Sequence, residues 1–221
     1  QSVENIDLLL TPETSLTFDP LKNEYYRKKL YNYLKNKDYY IQLGSQSFKE
    51  SEEGIYNSVF LINPKNEFIN RYNKNKLVLF GEKIPFINLV NNLTNSQWNS
   101  LSSGNNSPLF EIDNFKWKNL ICSEIFYPIL EEDLTKFDFI VNQSNEAWFE
   151  NGLQKQIWSA AIFRAVESRK SVLRSGNKAI SGVISPVGKI IKSASVNSNE
   201  IIISEVFSIR EKTFYNKYGN F

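Results

Sequence analysis

Short apolar runs, each cut off by proline, glycine or asparagine, set the strongest limit on how this chain folds. Ile6-Asp7-Leu8-Leu9-Leu10 stops at Thr11-Pro12, and the run at 56–62 is followed by Asn63-Pro64-Lys65-Asn66, a hairpin turn leading into 68–72. Segments of this length, flanked by turn residues, read as buried strands. The same pattern predicts strands at 39–48, 109–112, 117–122, 137–141, 171–174, 179–185, 189–193 and 200–206, with Pro186-Val187-Gly188 turning between two of them. Tyr26, Leu30, Tyr33 and Leu34 share helical spacing and predict a helix over 24–34. Trp158, Ala161, Ile162 and Ala165 form one stripe of a second helix, 154–168. A short helix is expected at 128–134. Strands alternating with helices early, and hairpins late, give an α/β layered fold with a mixed sheet, as one domain over residues 1–221.

One stretch breaks the scheme. Residues 84–104 are rich in Asn and Ser, carry Phe86, Leu89, Val90 and Leu93 at helical spacing, and have Trp98 beyond. Two readings fit: a surface helix docked on the core, or a mobile apolar lid over a site. No apolar run approaches the roughly 20 residues of a membrane span, and no signal peptide is visible.

Composition removes several chemistries. The chain has 221 residues and no histidine, which excludes a Ser-His-Asp or Cys-His nucleophile and any histidine-ligated zinc within it. Net charge is +2, so no general attraction to nucleic acid is implied. One cysteine rules out an internal disulfide. That cysteine, in Leu120-Ile121-Cys122-Ser123-Glu124, stands at a strand end, where the thiol can face a cleft while the Ser123 N–H points into the same space. A lone cysteine is also commonly a buried structural residue.

Three further positions set polar chemistry in a rigid context. Glu13 follows Thr11-Pro12 at the end of the first strand. Lys74 ends the hairpin beginning at Phe68. Glu82 follows Phe80-Gly81, where the glycine would allow a tight turn that points the carboxylate inward. With histidine absent, a carboxylate base, an ammonium and Cys122 form a complete acyl-transfer set. The carboxylate takes the thiol proton, and the ammonium favours the thiolate and then the oxyanion.

The order Pro12-Glu13, Tyr72-Asn73-Lys74 and Ile121-Cys122-Ser123-Glu124 resembles the Glu-Lys-Cys signature of the carbon–nitrogen hydrolase (nitrilase) superfamily. More narrowly, the run from Tyr72 through Phe80-Gly81-Glu82 to Pro85 resembles that of bacterial apolipoprotein N-acyltransferases. Asn145-Glu146-Ala147-Trp148-Phe149, Arg164-Ala165-Val166-Glu167, Leu173-Arg174-Ser175-Gly176-Asn177 and the ending Thr213-Phe214-Tyr215 resemble that family's later motifs. The resemblance implies a nitrilase-like αββα four-layer sandwich, here lacking its first strand and helix. It implies a fatty acyl chain taken from a phospholipid donor as a Cys122 thioester, then passed to the α-amino group of the diacylglyceryl N-terminal cysteine of a lipoprotein. Glu13 would be the general base and Lys74 would stabilise the intermediates. Glu82, Ser123 and Glu124 would support the site; Trp148, Phe149 and Asn145 would bind substrate. No cofactor and no metal are implied, and nucleic acid is not a partner. Location would be the bacterial cytoplasmic membrane, with the catalytic domain on its outer face.

This sequence departs from the family at Thr11 and Ser123, where aromatic residues are usual, and at Leu79, Glu150 and Ile157. The family's membrane-spanning domain is absent from these 221 residues, so the chain is expected to be part of a longer membrane enzyme. Two other readings stay open: a free-standing amidase or nitrilase using the same residues on a small soluble amide, and a catalytically dead binding module.

Overall fold

Alternating side chains sort the strands into faces, and the faces into layers. The computed structural model describes residues 6–48, 54–94, 99–129, 134–149, 152–206, 208–209 and 213–218. Strands β1 (Leu8–Leu10), β2 (Tyr40–Phe48), β3 (Ile55–Ile62) and β4 (Phe68–Asn73) make a four-stranded sheet in that order, β1 parallel to β2 and the rest antiparallel. The second sheet has six strands: β5 (Phe110–Ile112), β6 (Phe115–Ile121), β7 (Phe139–Asn145), β8 (Ser171–Asn177), β9 (Ser181–Ile184) and β10 (Ile190–Ala194). Its centre, β6-β7-β8, is parallel.

Three apolar clusters fill the three spaces between four layers. Helix α1 (Glu24–Leu34) lays Leu30 and Leu34 on Ile41, Leu43 and Ile62 of the first sheet. Asn23 caps its start by accepting from the Tyr26 N–H. Between the sheets, Val59, Leu61 and Tyr72 meet Trp117, Ile121, Phe139 and Val141. Helix α3 (Leu153–Ser168) covers the far side with Ile157, Trp158, Ala161 and Ala165 on Leu120, Ile140 and Val172. This is the expected αββα sandwich. Odd positions of β2 face α1, so Gln42 faces the second sheet. There it donates to Asn119 Oδ1 (2.9 Å) and Gln143 Oε1 (2.5 Å) and accepts from Trp117 Nε1 (2.7 Å). A buried amide satisfied on both ends fixes the register of the two sheets.

Several predicted elements move. Residues 200–206, expected as a strand, form none, because no strand among the described residues pairs with them. The helix expected at 128–134 is absent at 128–129, and residues 130–133 lie outside the described residues. The helical turn instead comes earlier, as a 3-10 turn over Cys122–Phe126. In the segment 84–104, α2 (Ile87–Thr94) is the predicted helix, with Phe86 and Leu93 exposed; Trp98 lies outside the described residues, as does Glu150. A last helix, α4, spans Phe214–Tyr218.

Candidate active site

Glu13, Lys74 and Cys122 each sit where a strand stops, and Glu82 sits in the turn that follows Lys74. After β1 the chain turns over β2: Thr11 N–H donates to Gln42 O (3.0 Å), and Gln143 Nε2 donates to Thr11 O (2.5 Å). Gly44 makes this approach possible, since a Cβ there would lie 2.1 Å from Pro12 O. The turn delivers Glu13, 5% exposed, into the gap between the sheets. Lys74 follows β4, tied by its N–H to Asn57 O of β3 (2.8 Å), with the Gly104 N–H on its own carbonyl (2.8 Å). The next turn folds on Val78 O, which accepts from the N–H groups of Gly81, Glu82 and Lys83. The left-handed residue here is Phe80 (φ 64°), rather than the expected Gly81. Phe80 therefore points to solvent and Glu82 inward.

The three charges meet. Lys74 Nζ lies 2.8 Å from Glu82 Oε1 and 3.5 Å from Glu13 Oε1. Asn57 bridges the two carboxylates, donating Nδ2 to Glu13 Oε1 (2.6 Å) and Glu82 Oε1 (3.2 Å). The second oxygen of Glu13 accepts from Asn145 N–H (2.6 Å), and that of Glu82 from Val78 N–H (2.9 Å). Asn57 had escaped notice in the sequence. Its signal was an amide side chain in a mostly apolar strand, where a buried polar group needs hydrogen-bond partners.

Cys122 is buried at the end of β6, in a left-handed conformation (φ 50°). Its thiol is pushed up to about 11 by burial and then by Glu13, with Lys74 pulling the other way. Burial likewise raises Glu13 above the usual carboxylate range, against the pull of Lys74. For Lys74, burial disfavours the ammonium, but Glu13, Glu82 and Cys122 overcome it and raise the group. The sulfur therefore shares a field with both charged groups. One ammonium against two carboxylates leaves an excess negative charge, which keeps the proton on the Cys122 sulfur.

Glu124 fastens the cysteine turn to the lysine loop. One oxygen accepts the N–H groups of Asn75 (2.8 Å) and Lys76 (2.9 Å), the other that of Ile121 (2.8 Å), and Tyr72 Oη donates to both (2.8 Å each). Ser123 is half-buried beside the nucleophile in the first turn, where helical N–H groups lack intrahelical acceptors. The Asn145 side chain accepts from Ala147 N–H (3.3 Å) and Asn177 Nδ2 (3.1 Å), shaping the turn that carries Trp148, 83% exposed, and the half-buried Phe149. Among the described residues no cluster of three His, Cys, Asp or Glu side chains could hold a metal ion, and no helix is long and apolar enough to cross a membrane.

Residues 2–210 match the family model described as carbon-nitrogen hydrolase. The chain is similar to the apolipoprotein N-acyltransferase of Wigglesworthia glossinidia brevipalpis, 29% identical over 99% of this chain and 46% of that protein. It is also similar to that of Borreliella burgdorferi, 30% identical over 97% of this chain and 44% of the other. The chain thus spans less than half the length of these curated relatives. In fold it is similar to Saccharomyces cerevisiae Nit3, a member of branch 10 of the nitrilase superfamily, with a TM-score of 0.63 and 17% identity over 86% of this chain and 72% of the other.

Proposed function

Since the chain belongs to the carbon–nitrogen hydrolase family, we propose that it transfers acyl groups through a thioester on Cys122, from a phospholipid to the α-amino group of a diacylglyceryl-cysteine at a lipoprotein N-terminus. The observation that carries this reading is the contact of Lys74 with both Glu13 and Glu82 in a buried site that also acts on the Cys122 thiol. A thiol raised to about 11 is protonated at neutral pH and needs a base. Glu13, itself raised, accepts that proton as sulfur attacks the ester carbonyl. Negative charge then moves from Glu13 to sulfur and on to the carbonyl oxygen, while Lys74 stays in contact with each stage. The oxyanion is held by Lys74 and the Ser123 N–H. Collapse expels the lysophospholipid alkoxide, which takes the proton back from Glu13. The acceptor amine then attacks the thioester, and its proton passes through Glu13 to the departing thiolate, leaving an amide, the free thiol and an ionised Glu13.

The apolar surroundings support a lipid rather than a small polar amide. Leu79 and Phe80, 61% and 79% exposed, lie in the turn that carries Glu82. Phe86 and Leu93 on the next segment are 84% and 77% exposed, and Trp148 follows Asn145, whose N–H holds Glu13. Exposed large apolar side chains grouped on the loops of a site indicate an apolar partner. The domain would work at the outer face of a bacterial cytoplasmic membrane, held there by a spanning domain outside these residues. The test is incubation with phosphatidylethanolamine vesicles. An intact-mass increase of one acyl chain on Cys122, discharged by a synthetic diacylglyceryl peptide, is the expected result. Ammonia release from simple amides without any acyl adduct would reject the reading in favour of an amidase.

A further inference from the structure

Behind the nucleophile, on the α3 side of the sheet, lies a buried ion pair for which the acyl-transfer scheme has no use. Arg174 of β8 and Glu146 after β7 are both fully buried as side chains, and Arg174 Nη2 contacts Glu146 Oε1. A buried pair of this kind contributes little net stability over apolar residues of the same volume, so its presence calls for another reason. The other bonds of the guanidinium supply one. Its Nε donates to Asn142 Oδ1 (2.9 Å) and its Nη1 to Ile180 O (2.5 Å). Asn142 in turn donates Nδ2 to the carbonyls of Leu120 (3.1 Å) and Cys122 (3.3 Å). Strand register makes this continuous: Leu120, Asn142 and Arg174 are direct partners across β6, β7 and β8.

We propose that Arg174 is a positioning residue for the nucleophile, holding Cys122 in its left-handed conformation through Asn142, whose amide grips the Cys122 carbonyl. A non-glycine residue at φ 50° persists only where its surroundings over-determine it. The Asn142 amide satisfies the carbonyls on both sides of Ile121, so the backbone leaves the strand at a fixed angle. The planar guanidinium fixes the Asn142 amide, because only the oxygen of that amide can accept from the Nε–H. The second arm runs through Glu146 Oε1, which also accepts from Ser144 Oγ (2.8 Å), and Ser144 itself stands within hydrogen-bonding reach of the thiol. One guanidinium thereby sets both the carbonyl and the hydroxyl that flank the reactive cysteine.

This inference rests on the acyl-transfer reading for its consequence and on the geometry alone for its first readout. Arg174→Lys keeps a cation for Glu146 but loses the planar fork that serves Asn142 at the same time; Asn142→Ala removes the amide that joins Arg174 to the Leu120 and Cys122 carbonyls and leaves the Arg174–Glu146 pair in place. Chloroacetamide alkylation of the full-length protein is followed against pH, alongside acyl-enzyme formation from phosphatidylethanolamine. In both folded variants the released thiol escapes the burial that chiefly raises it, together with the opposed fields of Glu13 and Lys74, so the midpoint of alkylation falls by at least one pH unit. Acyl-enzyme formation slows at least tenfold, and the double variant is no slower than either single one. An unchanged alkylation midpoint in either folded variant, or effects that multiply, would overturn the proposal. Loss of the fold in both variants would overturn it too, by reducing the pair to a structural role. If the parent forms no acyl-enzyme while the midpoints still shift, the acyl-transfer reading fails and the positioning role stands.

Discussion

Lys74→Met tests whether the ammonium is part of the fold as well as of the site. At a strand end a lysine is normally solvated and can be removed freely. Here the side chain is 1% exposed, with Nζ 2.8 Å from one carboxylate and 3.5 Å from another. At an effective dielectric of about 20 each such contact is worth about 4 kcal/mol or more before desolvation is subtracted. Breaking a buried pair by deleting one partner typically costs about 3–5 kcal/mol, because the remaining charge is left uncompensated. Two carboxylates remain here, so the variant relieves the repulsion by binding a proton. Loss of the Lys74 pull raises Glu13 further above its ordinary value. A carboxyl raised in the folded state contributes stability below its unfolded value, and this is lost as pH rises through the folded value. The deficit of the variant against the parent therefore grows with pH, by about 1.4 kcal/mol per unit while one extra proton stays bound. Urea unfolding of both proteins at pH 5.5 and pH 8 measures this. The expected deficit is about 3–5 kcal/mol at pH 8 and clearly smaller at pH 5.5, and Lys74→Met combined with Glu82→Gln recovers part of it. A deficit below about 1 kcal/mol at pH 8, or one equal at both pH values, refutes the reasoning.

Two further expectations concern the thiol and its framework. Chloroacetamide should modify Cys122 about tenfold faster per pH unit from neutral to beyond pH 9, because the thiol lies at about 11; a plateau below pH 8.5 would contradict a buried thiol in a negative field. Gly104→Ala would put a Cβ 2.4 Å from Asn73 O and 2.5 Å from the Asn75 side-chain oxygen. It should cost roughly 1–3 kcal/mol in thermal or urea unfolding and lower acyl-enzyme formation as the Lys74 loop shifts; unchanged stability would mean that the loop accommodates the methyl group.

The layers were legible because their pattern is local. Helix α1 matches the predicted 24–34, and β2 and β3 fall within one residue of their expected bounds, since two-residue and 3.6-residue periods are written in consecutive positions. Residues 200–206 carry the same apolar character yet form no strand, because strand formation depends on a neighbour that sequence does not supply. The charged members of the site could be named from the chemistry that a chain without histidine can still perform. Their connectors could not. Asn57, Asn142 and Arg174 act across strands, and their roles exist only once the register sets β3 beside β4 and β6 beside β7 and β8. Gly81 shows the opposite error: glycine suggested the strained turn residue, but Phe80 takes the positive φ because the three N–H groups converging on Val78 O fix the backbone there.

The same cross-strand logic bears on the proposed reaction, where the charge balance of the site would favour attack. Glu13, Glu82 and Lys74 together carry one surplus negative charge in a buried space, and every oxygen of both carboxylates already accepts a hydrogen bond. In the proposed reaction, moving the thiol proton to Glu13 would leave the total charge unchanged and shift the surplus onto sulfur, still within the field of Lys74. Little new charge is created and no solvent need reorganise, so the barrier to forming the nucleophile comes chiefly from the difference between two raised groups. A thiol with a lowered pKa would stand permanently ionised and be a weaker nucleophile per thiolate. In the proposed scheme, raising thiol and base together keeps the sulfur protonated until attack, and makes the thiolate that then forms strongly nucleophilic.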